Sequence, residues 1–193
     1  MKLFRHCRDF IFLFVVGQVV SAETRPAASP ESTTEVAPVY LVWNAETTLD
    51  LPAQEVWPYV VDFPSWQNYS RVEHVSGKPG REGEVRLLQN AEKGFEVPPF
   101  YARTIKLEPG HRIVWKCYPS LKETGKEFIG FAEFRLDEEQ GRTRFSYSIL
   151  YEFQMPRSNE IEREAFLKQQ HENMDALFAL FVPRLKRLVE KRT

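Results

Sequence analysis

The stretch NEIEREAFLKQQHENMDALFALFVPRLKRLVEK, residues 159–191, decides how the rest of this chain must be arranged. Asn159 and Glu162 have the spacing of a capping box, in which the Asn side chain accepts from an orphan backbone N–H and the Glu reaches back. Ile161, Ala165, Phe166, Met174, Leu177, Phe178, Leu180, Phe181, Val182, Leu185, Leu188 and Val189 then recur at three- and four-residue spacings. Such a period predicts one long helix with a buried side. The apolar arc is widest from Met174 to Val182, which should be the packed segment. The polar interval Lys168–Asn173 should meet a loop or a cavity mouth. Pro183 removes a backbone bond to Ala179 and should bend the helix.

At the other end, Lys2, Arg5 and Arg8 precede an apolar run from Phe10 to Val20, followed by the small residues Ser21 and Ala22. This is the pattern of an export signal over residues 1–22, with a run too short to span a membrane. It predicts a periplasmic or secreted protein, with an uncleaved anchor as the alternative. Residues 23–38 shift to Pro, Ala, Ser, Thr and Glu, the composition of a disordered linker. Residues 39–193 are then a single domain, long enough to bury its own core. Removing residues 1–22 takes away Lys2, Arg5, Arg8 and Asp9, so the formal charge moves from −1 to −3. That mild acidity argues against a nucleic-acid partner. Cys7 falls in the signal and leaves Cys117 alone, so no internal disulfide is expected.

From Val39 to Leu51 the pattern is that of a strand. Val39, Leu41, Trp43, Ala45, Thr47, Leu49 and Leu51 fall on one face, taken as inward. Pro52 suits the first position of a short helix with Val56, Tyr59, Val60 and Phe63 buried, although Pro58 should kink it or end it early. Pro64 opens a second short turn containing Trp66 and Tyr69. Six strands follow: 72–77, 84–89, 100–108, 112–117, 128–137 and 142–153, with Pro109-Gly110 a strong hairpin signal.

The order is a strand, two short helices, about six antiparallel strands and one long helix. The segment Leu51-Pro52-Ala53-Gln54-Glu55-Val56-Trp57, then Val61-Asp62-Phe63 and Trp66, resembles the START-like or Bet v 1-like (SRPBCC) superfamily, in particular its polyketide cyclase/dehydrase-like members. The resemblance runs from about Val39 to Val189 and departs from the pattern at Pro58. It implies an α+β helix-grip fold, in which a curved antiparallel sheet wraps the C-terminal helix and leaves a cavity between them.

A strongly curved sheet cannot touch one helix across its whole width, so inward aromatic residues can line a space as well as fill a core. Strand parity makes Trp43, Tyr101, Arg103, Ile105, Trp115, Phe134, Tyr147, Ile149 and Tyr151 the inward candidates for ligand contact, with Met174 and Leu177 from the helix. Arg103 either recognises an anionic head on an apolar ligand or snorkels at the rim. His171 is the candidate acid/base of the helix, and Tyr147 could donate to a ligand carbonyl; both also read as ordinary structural residues. His6, His74, His111 and His171 show no metal-ligand spacing, and no cofactor-binding motif is present. The basic residues Arg184, Lys186, Arg187, Lys191 and Arg192 either complement the helix dipole or touch an acidic membrane surface.

Two functions lead, ahead of a weaker one in which the groove is filled and the domain serves as an interaction module. One is an exported binder or carrier of a hydrophobic small molecule or lipid. The other is a cyclase/dehydrase-type enzyme acting in the same cavity, with His171 or Tyr147 as acid or base.

Overall fold

The computed structural model of the chain describes residues 35–92, 99–119, 130–156 and 160–191. The expected export signal and the capping residue Asn159 lie outside the described residues. Alternating burial dictates the first element, β1 (Val36–Leu49): Ala37, Val39, Leu41 and Trp43 are buried, whereas Val36, Tyr40 and Val42 are exposed. The inward face of β1 is thus the one its parity predicts, but the strand begins at Val36, inside the stretch read as linker. After it come α1 (Ala53–Val61), a 3-10 turn (Phe63–Ser65), β2 (Tyr69–Ser76), β3 (Val85–Asn90) and β4 (Phe100–Glu108). β5 (Arg112–Tyr118), β6 (Gly130–Glu139), β7 (Arg142–Pro156) and α2 (Glu160–Glu190) complete the chain.

The strands form one curved seven-stranded sheet in the order β1-β7-β6-β5-β4-β3-β2, antiparallel at every pairing. The helix grip that the resemblance implies is therefore the fold. Pro52 lies one position earlier than expected, as the residue flanking α1, and α1 continues past Pro58 to Val61. Its first amide, that of Ala53, is satisfied from the sheet, donating to Glu138 Oε2 at 2.9 Å.

Between β4 and β5 the register slips at Thr104–Lys106. One extra residue on β4 inverts side-chain parity upstream of it. Leu107, opposite Ile113, still faces in, but Ala102 and Thr104 are the buried residues further back. Tyr101, Arg103 and Ile105 consequently face away from the concave side, contrary to expectation, and Ile105 is 42% exposed.

The packed part of α2 also differs from expectation. Phe181, Leu185 and Val189 are the buried residues of this helix, whereas Met174, Leu177 and Phe178 are half-buried, Leu180 is exposed and Ile161 is 80% exposed. Phe181 meets Trp66 edge-on at 6.2 Å, and α1 packs on the same helix. Arg184, one turn along, is held by Glu92, with Nη1 at 2.6 Å from Oε2. The last turns of α2 thus close the core, while the preceding turns lie over the sheet without being engulfed.

This asymmetry has a measurable consequence. Leu185→Ala removes a fully buried side chain and should lower the unfolding free energy by about 2–5 kcal/mol. Ile161→Ala, at the exposed start of the helix, should leave the urea midpoint unchanged within error.

Candidate functional site

A cavity lies between the concave face of the sheet and the turn that links α1 to β2. Phe63, Gln67 and Tyr69 come from that turn and the start of β2, Leu88 from β3, and Phe100 and Ala102 from β4. Trp115 and Cys117 come from β5, Ala132 and Phe134 from β6, and Tyr147 and Tyr151 from β7. The open volume is about 30 Å³, room for roughly two waters. The generous space implied by the resemblance is thus reduced here to a small one by aromatic packing. Phe134 alone meets Trp115 at 4.9 Å, Tyr147 at 4.7 Å and Trp66 at 5.4 Å.

Small residues create what space there is. A side chain at Gly130 would strike the ring of Tyr151, its cross-strand partner, so the absent Cβ lets that ring lie flat over β6. Ala102 and Ala132 keep the floor shallow on either side of β5.

Of the expected contact residues, Trp115, Phe134, Tyr147 and Tyr151 stand on the wall. Trp43 and Ile149 face inward but sit in the core beside it. The Trp43 indole touches Tyr147 at 5.4 Å and Phe178 at 5.7 Å, and its Nε1 donates to Asp175 Oδ1 at 2.8 Å. Met174 and Leu177 pack against the core from α2 without forming the wall. Tyr101, Arg103 and Ile105 are turned away by the β4 bulge, so Arg103 cannot serve as an anion anchor inside. His171 is exposed, in a helix interval that carries no wall residue, and an acid/base role in this cavity is therefore withdrawn.

Gln67, Tyr69 and Cys117 escaped the sequence reading. Cys117 could have been found by extending the Trp115 parity by two residues. Gln67 could not, because its direction depends on Asn68, whose φ of 54° reverses the chain just before β2. That turn is fastened from two sides. Ala91 N donates to Asn68 O at 3.0 Å, and Glu92, already bound to Arg184, accepts from Asn68 Nδ2 at 3.3 Å. Arg184 therefore acts as a structural clamp whose carboxylate partner is held below the usual range by that contact, which removes it from the free basic face imagined for the helix end.

Among the described residues the wall carries no charged side chain. Burial pushes the Cys117 thiol up to about 12. Burial likewise raises the phenol of Tyr147, with Cys117 adding to it, and raises those of Tyr69 and Tyr151 well above their ordinary value. All four groups therefore stay neutral at physiological pH. The Arg86 guanidinium lies 6.0 Å from the centre of the Phe63 ring, and both oxygens of Glu84 hold it, at 2.8 and 3.0 Å. Among the described residues, no group of three or more His, Cys, Asp or Glu gathers to hold a metal.

A curved antiparallel sheet closed by a C-terminal helix over a neutral, aromatic interior defines a helix-grip binding fold. Residues 42–190 match the family described as polyketide cyclase/dehydrase and lipid transport, and the chain belongs to that family. No curated protein matches it in sequence. Among solved structures, a Staphylococcus aureus protein of unknown function shares 12% identity, with 80% of this chain and 96% of that one covered and a TM-score of 0.62. A Streptomyces aromatase/cyclase shares 14%, covering 80% and 96%, at 0.59. Norcoclaurine synthase from Thalictrum shares 13%, covering 82% and 99%, at 0.56. At these identities the likeness is one of fold.

The lowered acidity of the Cys117 thiol and the wall phenols makes stability depend on pH. In the unfolded chain the phenols titrate near 10, whereas in the folded protein they hold their protons to higher pH. The folded state thus binds more protons above pH about 10, and stability should fall as pH rises through that range. Cys117 adds to the same loss from about pH 9 up to about 12. At pH 8, peptide mapping after thiol labelling should find Cys117 unmodified in the native protein and modified in urea.

Proposed function

We propose that this chain is an exported binding or carrier protein for a hydrophobic small molecule or lipid, held between the sheet and α2. The observation that carries this reading is the character of the wall, which is aromatic, aliphatic and uncharged, with every ionisable group on it held neutral. Such a surface gains from excluding water and offers no group able to accept a proton near pH 7. The family description includes lipid transport, which agrees with the reading. Export rests on the basic, apolar and small-residue succession of residues 1–22.

A cavity of about 30 Å³ is too small for a lipid or a ring compound; such sites usually span roughly 300–1,000 Å³. A ligand therefore has to be admitted by movement, and α2 supplies it. Its last turns are anchored by Phe181, Leu185, Val189 and the Arg184–Glu92 pair. The stretch before them rests on half-buried Leu167, Met174, Leu177 and Phe178 and on the Trp43–Asp175 bond. Lifting that half exposes Trp43, which touches the wall residue Tyr147, and so loosens the core beside the cavity.

A second reading, catalysis on a carbonyl compound in the same cavity, draws on the hydroxyls of Tyr147 and Tyr151. Neither has a hydrogen-bond partner among the described residues, and both face the interior. A phenol kept protonated can polarise a carbonyl oxygen, as an enzyme of the aromatase/cyclase kind would require. It cannot also abstract a proton at neutral pH, which favours binding over turnover.

Native mass spectrometry after mild extraction should find the protein with a co-purifying apolar molecule; repeatedly empty spectra would overturn the carrier reading. Asp175→Ala removes the polar latch between α2 and β1. It should speed uptake of an apolar fluorophore severalfold at a stability cost of about 1 kcal/mol, measured by stopped-flow fluorescence and urea titration.

A further inference from the structure

Gln67 carries information that the apolar wall alone does not. The residue is 3% exposed and lines the cavity, yet its Nε2 has no hydrogen-bond partner among the described residues. A buried amide left unpaired is costly, so a native structure keeps one only where something else satisfies it. The other end of this amide is already fixed, because the Tyr69 hydroxyl donates to Gln67 Oε1 at 3.2 Å. The backbone beneath is fixed too, with Gln67 N donating to Phe63 O at 2.9 Å and Asn68 fastened through Glu92 to Arg184. The amide donor is therefore held in one direction before any ligand arrives.

The polar inventory of the cavity is lopsided. Gln67 Nε2 and the hydroxyls of Tyr147 and Tyr151 offer protons, while the one strong acceptor, Gln67 Oε1, is occupied by Tyr69. Among the described residues no charge accompanies them: Arg103 faces away, and Arg86 is spent on Glu84. A carboxylate would find no cation here and an ammonium no anion. The matching partner is an uncharged oxygen acceptor on an otherwise apolar molecule, and the surrounding rings of Phe63, Phe100, Trp115 and Phe134 favour a flat one.

Building on the binding role proposed above, we infer that the site selects neutral, apolar carbonyl compounds, and that Gln67 Nε2 donates to the carbonyl oxygen. Gln67 is then the residue that turns a general apolar cavity into one with polarity and orientation. Tyr69 is a positioning residue, acting through the amide it fixes.

Two probes of one shape separate this from simple hydrophobic uptake: acetophenone, and α-methylstyrene, in which a CH₂ replaces the carbonyl oxygen. Each is titrated into the full-length protein and into Gln67→Met, with tryptophan fluorescence and ligand-observed NMR as readouts. Acetophenone should bind Gln67→Met about tenfold more weakly than wild type, the worth of one buried hydrogen bond, while α-methylstyrene changes less than twofold. Tyr69→Phe, which frees the amide to rotate, should weaken acetophenone severalfold and spare the hydrocarbon. Equal affinity of acetophenone for wild type and Gln67→Met overturns the inference, because water alone then satisfies the amide, and leaves the apolar cavity standing. Parallel loss of both probes in Gln67→Met overturns it as well, since the side chain would then matter for shape. If the wild type binds neither probe, the binding reading falls and this one with it.

Discussion

The structure depends on the burial of three side chains, Phe181, Leu185 and Val189, in the last turns of α2. A single curved sheet has one concave face to hide and one helix to hide it with. These residues, set against Trp66 and α1, are where helix and sheet become one core. Arg184 lies among them, and its pairing with Glu92 ties the helix to the end of β3 and, through Asn68, to the turn carrying Gln67. Anchoring at one end leaves the other half of the helix free of full burial. The last turns close the core and the earlier ones cover it with half-buried side chains.

The interior follows the same economy. The rings around Phe134 pack edge to face at 4.7 to 5.4 Å with Tyr147, Trp115 and Phe145, a geometry that aligns ring edges with ring faces. Space survives beside the small strand residues Ala102 and Ala132, and the missing side chain of Gly130 is taken up by the Tyr151 ring. Because thiol and phenols are desolvated there, the cavity is electrically silent across the physiological range. Recognition in such a place rests on shape, apolar area and a few neutral hydrogen bonds.

Much of the architecture is written in local patterns. The alternation of β1 identifies its buried face, and the Pro109-Gly110 pair marks the hairpin whose glycine has a φ of 80°. The three- and four-residue spacing of residues 159–191 identifies the closing helix. Patterns fail where a non-local event intervenes. Strand parity puts Arg103 inside with Tyr101 and Ile105, and the β4 bulge, invisible to period, reverses that parity. Met174–Val182 has the broadest apolar arc, but burial is decided by what stands opposite, and Trp66 and α1 stand opposite Phe181 and the residues after it. Gln67 is hidden for the same kind of reason, since its aim depends on a left-handed residue and a salt bridge whose two ends are 92 residues apart.

The proposed binding role requires α2 to be fixed at its end and to move over the core beside the cavity. Amide hydrogen exchange resolved along the helix tests this directly. Without ligand, amides of residues 163–180 should exchange markedly faster than those of 181–190, and saturating acetophenone should slow the first group while leaving the second unchanged. Uniform protection along α2, unaltered by ligand, would contradict the account.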